Sequence, residues 1–198
     1  MIEAIVFDMG GVFFHPSPGQ RSEVLAQHLV TEDDLKSLED LPELDAYKRG
    51  FLDEDTFVRA TKPFLPQVED PRKFFQALAL ARELNQDLVK LTAELKTHYR
   101  IAALSNSDSF LEERIDTFGI GHYFEFVINS YRVQMAKPDS RIFHYLIDKI
   151  SLEPHQILFV DDLTSNIRVA RQLGLYGHVF TTTEGLRRDM AAYGLLEF

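Results

Sequence analysis

Residues 5–14 read IVFDMGGVFF. The apolar run up to Phe7 has the character of a strand covered on both faces. It ends on a single carboxylate, Asp8, and two glycines follow at Gly10 and Gly11. A carboxylate at the mouth of a buried strand, followed by residues almost without side chains, lets the backbone approach a ligand closely. Four further apolar runs share the same character: RIAALS (100–105), FEFVIN (124–129), QILFV (156–160) and GHVF (177–180). Helical spacing appears between them. Leu84, Leu88, Leu91 and Leu95 form one stripe, Leu111, Ile115 and Phe118 a second, with Gly119 suited to a C′ position. Ile142, Phe143, Leu146, Ile147 and Ile150 form a third, and Ile167, Ala170 and Leu173 a fourth that Gly174 stops. Strand–helix alternation of this kind predicts an α/β fold, a Rossmann-like parallel sheet with right-handed crossovers.

Residues 15–83 break the alternation. They contain no convincing strand but several short amphipathic helices. Asp53 is placed to cap the helix after it, Asp70 and Pro71 form an N-cap and N1 pair, and PELDAYKRG ends on Gly50. The expected organisation is an α/β core of residues 1–14 and 84–198 carrying an inserted all-helical cap domain, 15–83. The cap should lie over the carboxyl ends of the strands, where open α/β sheets bind ligands.

The chain has 198 residues and a net charge of −10. Such a surface repels nucleic acid and anionic membranes, so neither is expected as a partner. A phosphorylated ligand would need local positive charge. With no cysteine, disulfides and thiolate metal sites are excluded. The opening MIEAIVFD has no basic segment before a short apolar run, so a cytoplasmic location is expected. A monomer or homodimer is expected.

The residues that follow each strand carry the chemistry. They are Asp8 after the first, Ser105 and Asn106 after the second, Lys137 beyond the third, and Asp161 with Asp162 after the fourth. Any one of them alone reads as a turn or capping residue. In a parallel sheet, however, all of them fall at one edge. Three carboxylates, a lysine and two small polar groups suit Mg²⁺-dependent phosphoryl transfer. Asp8 and Asp162 can supply carboxylates to Mg²⁺, Gly10 a carbonyl, and Asp161 help through water. Asp8 can attack phosphorus. Lys137 can hold the transferring charge, while Ser105 and Asn106 donate to phosphate oxygens.

FDMGGV, LSNS, KPDSRIF and FVDDLTSNI, in that order, resemble the four motifs of the haloacid dehalogenase-like hydrolases. The resemblance spans nearly the whole chain. YKRGFLDEDTF resembles a cap stretch of the subgroup holding bacterial alpha-D-glucose-1-phosphate phosphatase-type enzymes and the phosphatase domain of soluble epoxide hydrolase. The resemblance implies a Mg²⁺-dependent phosphatase acting on a small phosphomonoester, possibly a sugar phosphate. By position, Asp8 would be nucleophile and metal ligand, Gly10 a carbonyl ligand, Asp162 the second carboxylate ligand with Asp161 beside it. Ser105, Asn106 and Lys137 would bind phosphate. One position departs from the pattern. Most phosphatases of the family carry a general acid–base Asp two residues after the nucleophile, and here that residue is Gly10. His15 is either its catalytic substitute or a loop histidine without a role. The alternatives are a catalytically weak or inactive relative that binds a phosphorylated ligand, and a dehalogenase, against which the acid pair argues. Arg21, Arg49 and Arg132 are candidate substrate contacts.

Overall fold

The computed structural model describes residues 1–192 and 194–195. Five parallel strands form the sheet: β1 (Ala4–Phe7), β4 (Arg100–Ser105), β5 (Val127–Asn129), β6 (Ile157–Asp161) and β7 (Tyr176–Val179), in the order β5-β4-β1-β6-β7. β1 is central and pairs with β4 on one side and β6 on the other. All four residues of β1 are buried, as its uninterrupted apolar character requires. Its side chains alternate between two cores. Ile5 and Phe7 join Leu88, Leu91 and Leu95 of α6 (Gln86–Leu95) and Leu186 and Met190 of α11 (Thr183–Ala192). Ala4 and Val6 face Ile142, Phe143 and Leu146 of α9 (Ser140–Ile150) and Ile167 and Ala170 of α10 (Thr164–Gln172). Fully burying a side chain such as Phe7 stabilises the fold by roughly 1.5–3 kcal/mol.

Capping chemistry sets the helix starts. Asn85 accepts a hydrogen bond from the Leu88 N–H, and Asp139 from that of Arg141. Asp53 and Asp70 cap α4 (Glu54–Thr61) and α5 (Pro71–Leu80) as the sequence predicts. With α1 (Pro18–Gln27), α2 (Glu32–Glu39) and α3 (Pro42–Lys48), these helices fill the interval between β1 and α6. α1, α2 and α5 share an apolar cluster around Leu25, Leu35, Leu38, Leu65 and Phe74.

Three sequence expectations need correction. The interval does not lack strands at its ends, because β2 (Phe14–Pro16) and β3 (Arg82–Leu84) pair antiparallel. His15 lies opposite Glu83 in this ribbon, and Leu84 belongs to β3 rather than to α6. The strand expected over 124–129 is only Val127–Asn129. Glu125 and Phe126 still bond to Ile101 and Ala103, but irregularly. No helix among the described residues is long and apolar enough to cross a membrane.

Candidate active site

The sheet explains why the acids meet. Phe7 pairs with Val160 across β1 and β6, so Asp8 and Asp161 follow side by side on neighbouring strands about 4.8 Å apart. The Asp8 N–H bonds the Val160 carbonyl at 2.8 Å and fixes that juxtaposition. Asp8, Asp161 and Asp162 each present an oxygen within 4.8 Å of the others'.

Lys137 arrives from the segment between α8 (Ser130–Val133) and α9, and is almost wholly buried. Its ammonium donates to Leu104 O at 2.8 Å and to Asp161 Oδ2 at 2.7 Å. It also forms a buried ion pair with Asp8 Oδ1 at 2.9 Å. Burial works against the charge on Lys137, yet Asp8 and Asp161 outweigh it and raise its pKa above the ordinary lysine value. Burial pushes the Asp8 carboxyl up to about 6, against the pull of Lys137 and with the repulsion of Asp161.

Asp161 is held on both oxygens. Oδ1 accepts from Leu163 N–H and Asn166 Nδ2, and Oδ2 from Lys137 and Asn166. Asp162 is only partly buried, and burial followed by repulsion from Asp161 raises its pKa. Its carboxylate rests against Gly11. A Cβ there would lie 2.2 Å from Oδ2, and the φ of +74° is left-handed, so glycine is required twice over. Gly10 differs: its φ lies outside the left-handed range, and a Cβ would meet nothing within 4 Å.

The sequence places Asn106 as a donor to phosphate, and in the structure its side chain meets the backbone of Lys137. Its Nδ2 donates to the Lys137 carbonyl at 2.7 Å, and its Oδ1 accepts from the Lys137 N–H at 2.8 Å. The amide therefore clasps the backbone of the lysine. Ser105 ends β4, buried, opposite Asn129 of β5. His15 sits in β2, partly buried. Arg21, Arg49 and Arg132 do not converge on the acids. They pair with Glu32, Asp45 and Glu112 respectively.

Asn166 escaped the sequence reading. It stands in the first turn of α10, one residue before Ile167 and four before Ala170, on the inward face. A buried Asn on an apolar stripe needs hydrogen-bond partners, and that signal was available. Ser130 was also missed. Its hydroxyl accepts from Ser107 N–H and donates to Lys48 O, joining α3 to the loop after β4.

The family model of the haloacid dehalogenase-like hydrolases matches residues 2–174. The chain belongs to that family. This haloacid dehalogenase-like hydrolase is 27% identical over 123 residues to bifunctional epoxide hydrolase 2 of Mus musculus, a match covering 59% of this chain and 22% of the relative. It therefore spans only about a fifth of the length of such curated relatives. It is 25% identical over 191 residues to D-ribitol-5-phosphate phosphatase of Bacteroides thetaiotaomicron, covering 88% and 89% of the two chains. Among solved structures, a wild-type HAD family enzyme of Bacteroides thetaiotaomicron, in complex with magnesium and inorganic phosphate, superposes with a TM-score of 0.78. That similarity covers 94% of this chain and 99% of the other at 19% identity, which shows a shared fold.

Proposed function

We propose that this hydrolase is a Mg²⁺-dependent phosphatase that cleaves a small phosphomonoester through an aspartyl-phosphate on Asp8. The observation that carries the reading is the grouping of Asp8, Asp161 and Asp162 oxygens within 4.8 Å of one another beside the buried ammonium of Lys137. Three carboxylates against one ammonium leave two negative charges to neutralise, and a divalent cation fits both the charge and the all-oxygen donor set. Asp8 and Asp162 would hold it with the Gly10 carbonyl, while Asp161, already saturated, steadies Lys137. When bound, the cation supplies positive charge to the phosphoryl oxygens.

The residues of the chain do the rest. An Asp8 oxygen forms a bond to phosphorus as the bond to the leaving oxygen breaks. That oxygen takes a proton from His15 or from water. Water then attacks the aspartyl-phosphate, its proton passes to the same base, and Asp8 and free phosphate are regenerated. Lys137 and Ser105 hold the phosphoryl oxygens, and Asn106 contributes by fixing Lys137. Residues 15–83 would act as the cap and residues 1–14 and 84–198 as the catalytic core, with closure excluding water. The similarity to a D-ribitol-5-phosphate phosphatase supports a sugar phosphate as substrate.

One observation favours a second reading. Gly10 leaves the usual acid–base position without a carboxylate, which suits a protein that binds a phosphorylated ligand without turning it over. Turnover of p-nitrophenyl phosphate with Mg²⁺, lost on EDTA treatment and in Asp8→Asn, supports the phosphatase. Silence across a broad panel of phosphomonoesters rejects it. The same assay on His15→Ala settles the proton carrier, since unchanged turnover removes His15.

A further inference from the structure

A cavity of about 330 Å³ lies between the helices of residues 18–80 and the loop after β4. Asp8, Lys137, Asp161 and Asp162 take no part in its lining. The ribbon explains the separation. Successive residues of a strand point to opposite faces. Arg82, in register with Pro16, projects on the same side as Phe14 and lines the cavity, whereas His15 projects on the other.

The walls combine apolar side chains, Leu38, Leu44, Phe57 and Phe75 among them, with a nearly equal share of polar surface. Four charged residues also line the cavity: Arg21, Lys48, Arg82 and Asp108. Two are already matched within the protein, Arg21 by Glu32 at 2.8 Å and Asp108 by Arg114 at 3.3 Å. Lys48 is exposed. Arg82 is different. It is partly buried, and no ion pair or hydrogen bond of its side chain is found among the described residues. Burial first, then the guanidinium of Arg114, lower its pKa, although Asp108 pulls the other way. A partly buried guanidinium without a paired carboxylate, set between apolar walls, offers its donors to an anion that enters the cavity.

We propose that this cavity is a binding site for a small amphiphilic monoanion, an apolar body bearing one carboxylate-like head, with Arg82 as the counter-charge. Its volume falls within the range of about 300–1,000 Å³ that small-molecule pockets occupy. The apolar walls take the body, and the planar guanidinium offers paired donors to the head. The site is independent of the acid cluster and does not rest on the phosphatase reading.

Isothermal titration calorimetry of the full chain with decanoate and with 1-decanol tests it. Decanoate should bind at least roughly tenfold more tightly than decanol, the scale of a charge-assisted hydrogen bond. Arg82→Met should remove that preference and leave decanol binding in place. Leu44→Trp, which fills the cavity from its wall, should weaken both ligands, and Asp8→Asn should leave both unchanged. Absence of decanoate binding, equal affinity for the two ligands in the wild-type protein, or loss of decanoate binding in Asp8→Asn overturns the proposal. If Arg82→Met fails to fold, the wild-type comparison and Leu44→Trp still decide it.

Discussion

Gly10 and Gly11 are neighbours, yet the structure predicts opposite outcomes when each gains a side chain. At Gly10 a Cβ meets nothing within 4 Å and φ is not left-handed, so Gly10→Asp should fold without strain. Restricting the unfolded chain there even favours the native state, by about 0.4–1 kcal/mol. The new carboxylate stands two residues beyond Asp8, where a phosphatase of this family would carry its acid–base group. If its absence limits turnover, Gly10→Asp should raise kcat by up to roughly 10²–10⁴-fold. At Gly11 a Cβ would lie 2.2 Å from Asp162 Oδ2, and the carboxylate would have to retreat to at least 3.4 Å for ordinary contact. The left-handed backbone adds about 1–2 kcal/mol of strain for any residue with a Cβ. Gly11→Ala should therefore unfold at lower urea concentration and bind Mg²⁺ roughly 10–100-fold more weakly. The assay is steady-state hydrolysis of p-nitrophenyl phosphate, with Mg²⁺ affinity read by calorimetry. A Gly10→Asp protein that folds and binds Mg²⁺ normally but turns over no faster refutes the idea that the missing carboxylate is limiting. A Gly11→Ala protein indistinguishable from wild type refutes the packing argument for Asp162.

Lys137→Met should lower unfolding free energy by about 3–5 kcal/mol at neutral pH, since it leaves Asp8 and Asp161 without their shared cation. Urea denaturation measures this, and the loss should shrink near pH 5, where Asp8 is protonated. The Asp8 carboxyl, raised from 3.8 to about 6, gives the metal-free protein stability that is present below pH 3.8 and lost as pH rises through 6. Mg²⁺ should therefore raise the melting temperature more at pH 7.5 than at pH 5, and Asp162→Asn should abolish that difference in a thermal-shift experiment. Gly50→Ala should loosen the contact between α3 and α8, because a Cβ there would lie 2.1 Å from the Tyr131 carbonyl oxygen in a backbone of φ +72°. Accelerated limited proteolysis within residues 15–83 would report it, and an unchanged cleavage rate would count against it.

The sheet was legible because its strands are short continuous apolar runs, a pattern that needs no partner to be recognised. The acid cluster was legible for a related reason: parallel strands bring their carboxyl ends to one edge, so Asp8 and Asp161 meet once strand type and order are known. The β2–β3 ribbon was not legible. Each strand has three residues, Pro16 interrupts the pattern, and the two partners are separated by the whole helical interval. The end of the third run misled for a different reason. Phe124, Glu125 and Phe126 have strand-like composition, but the backbone enters regular pairing only at Val127. The cavity and the place of Arg82 in its wall lay beyond any sequence reading, since they depend on how distant helices close over the β4 loop.

The clasp between Asn106 and the Lys137 backbone has an implication for how substitutions at position 106 are judged. A primary amide matches a peptide unit because it offers a donor and an acceptor side by side. Aspartate keeps the acceptor but presents a second lone-pair oxygen to the Lys137 carbonyl, and leucine keeps the shape but neither function. Either change would free the segment that delivers the lysine while every charged group stayed in the chain. The resulting failure would imitate the removal of a ligand contact, although the defect would be one of aim.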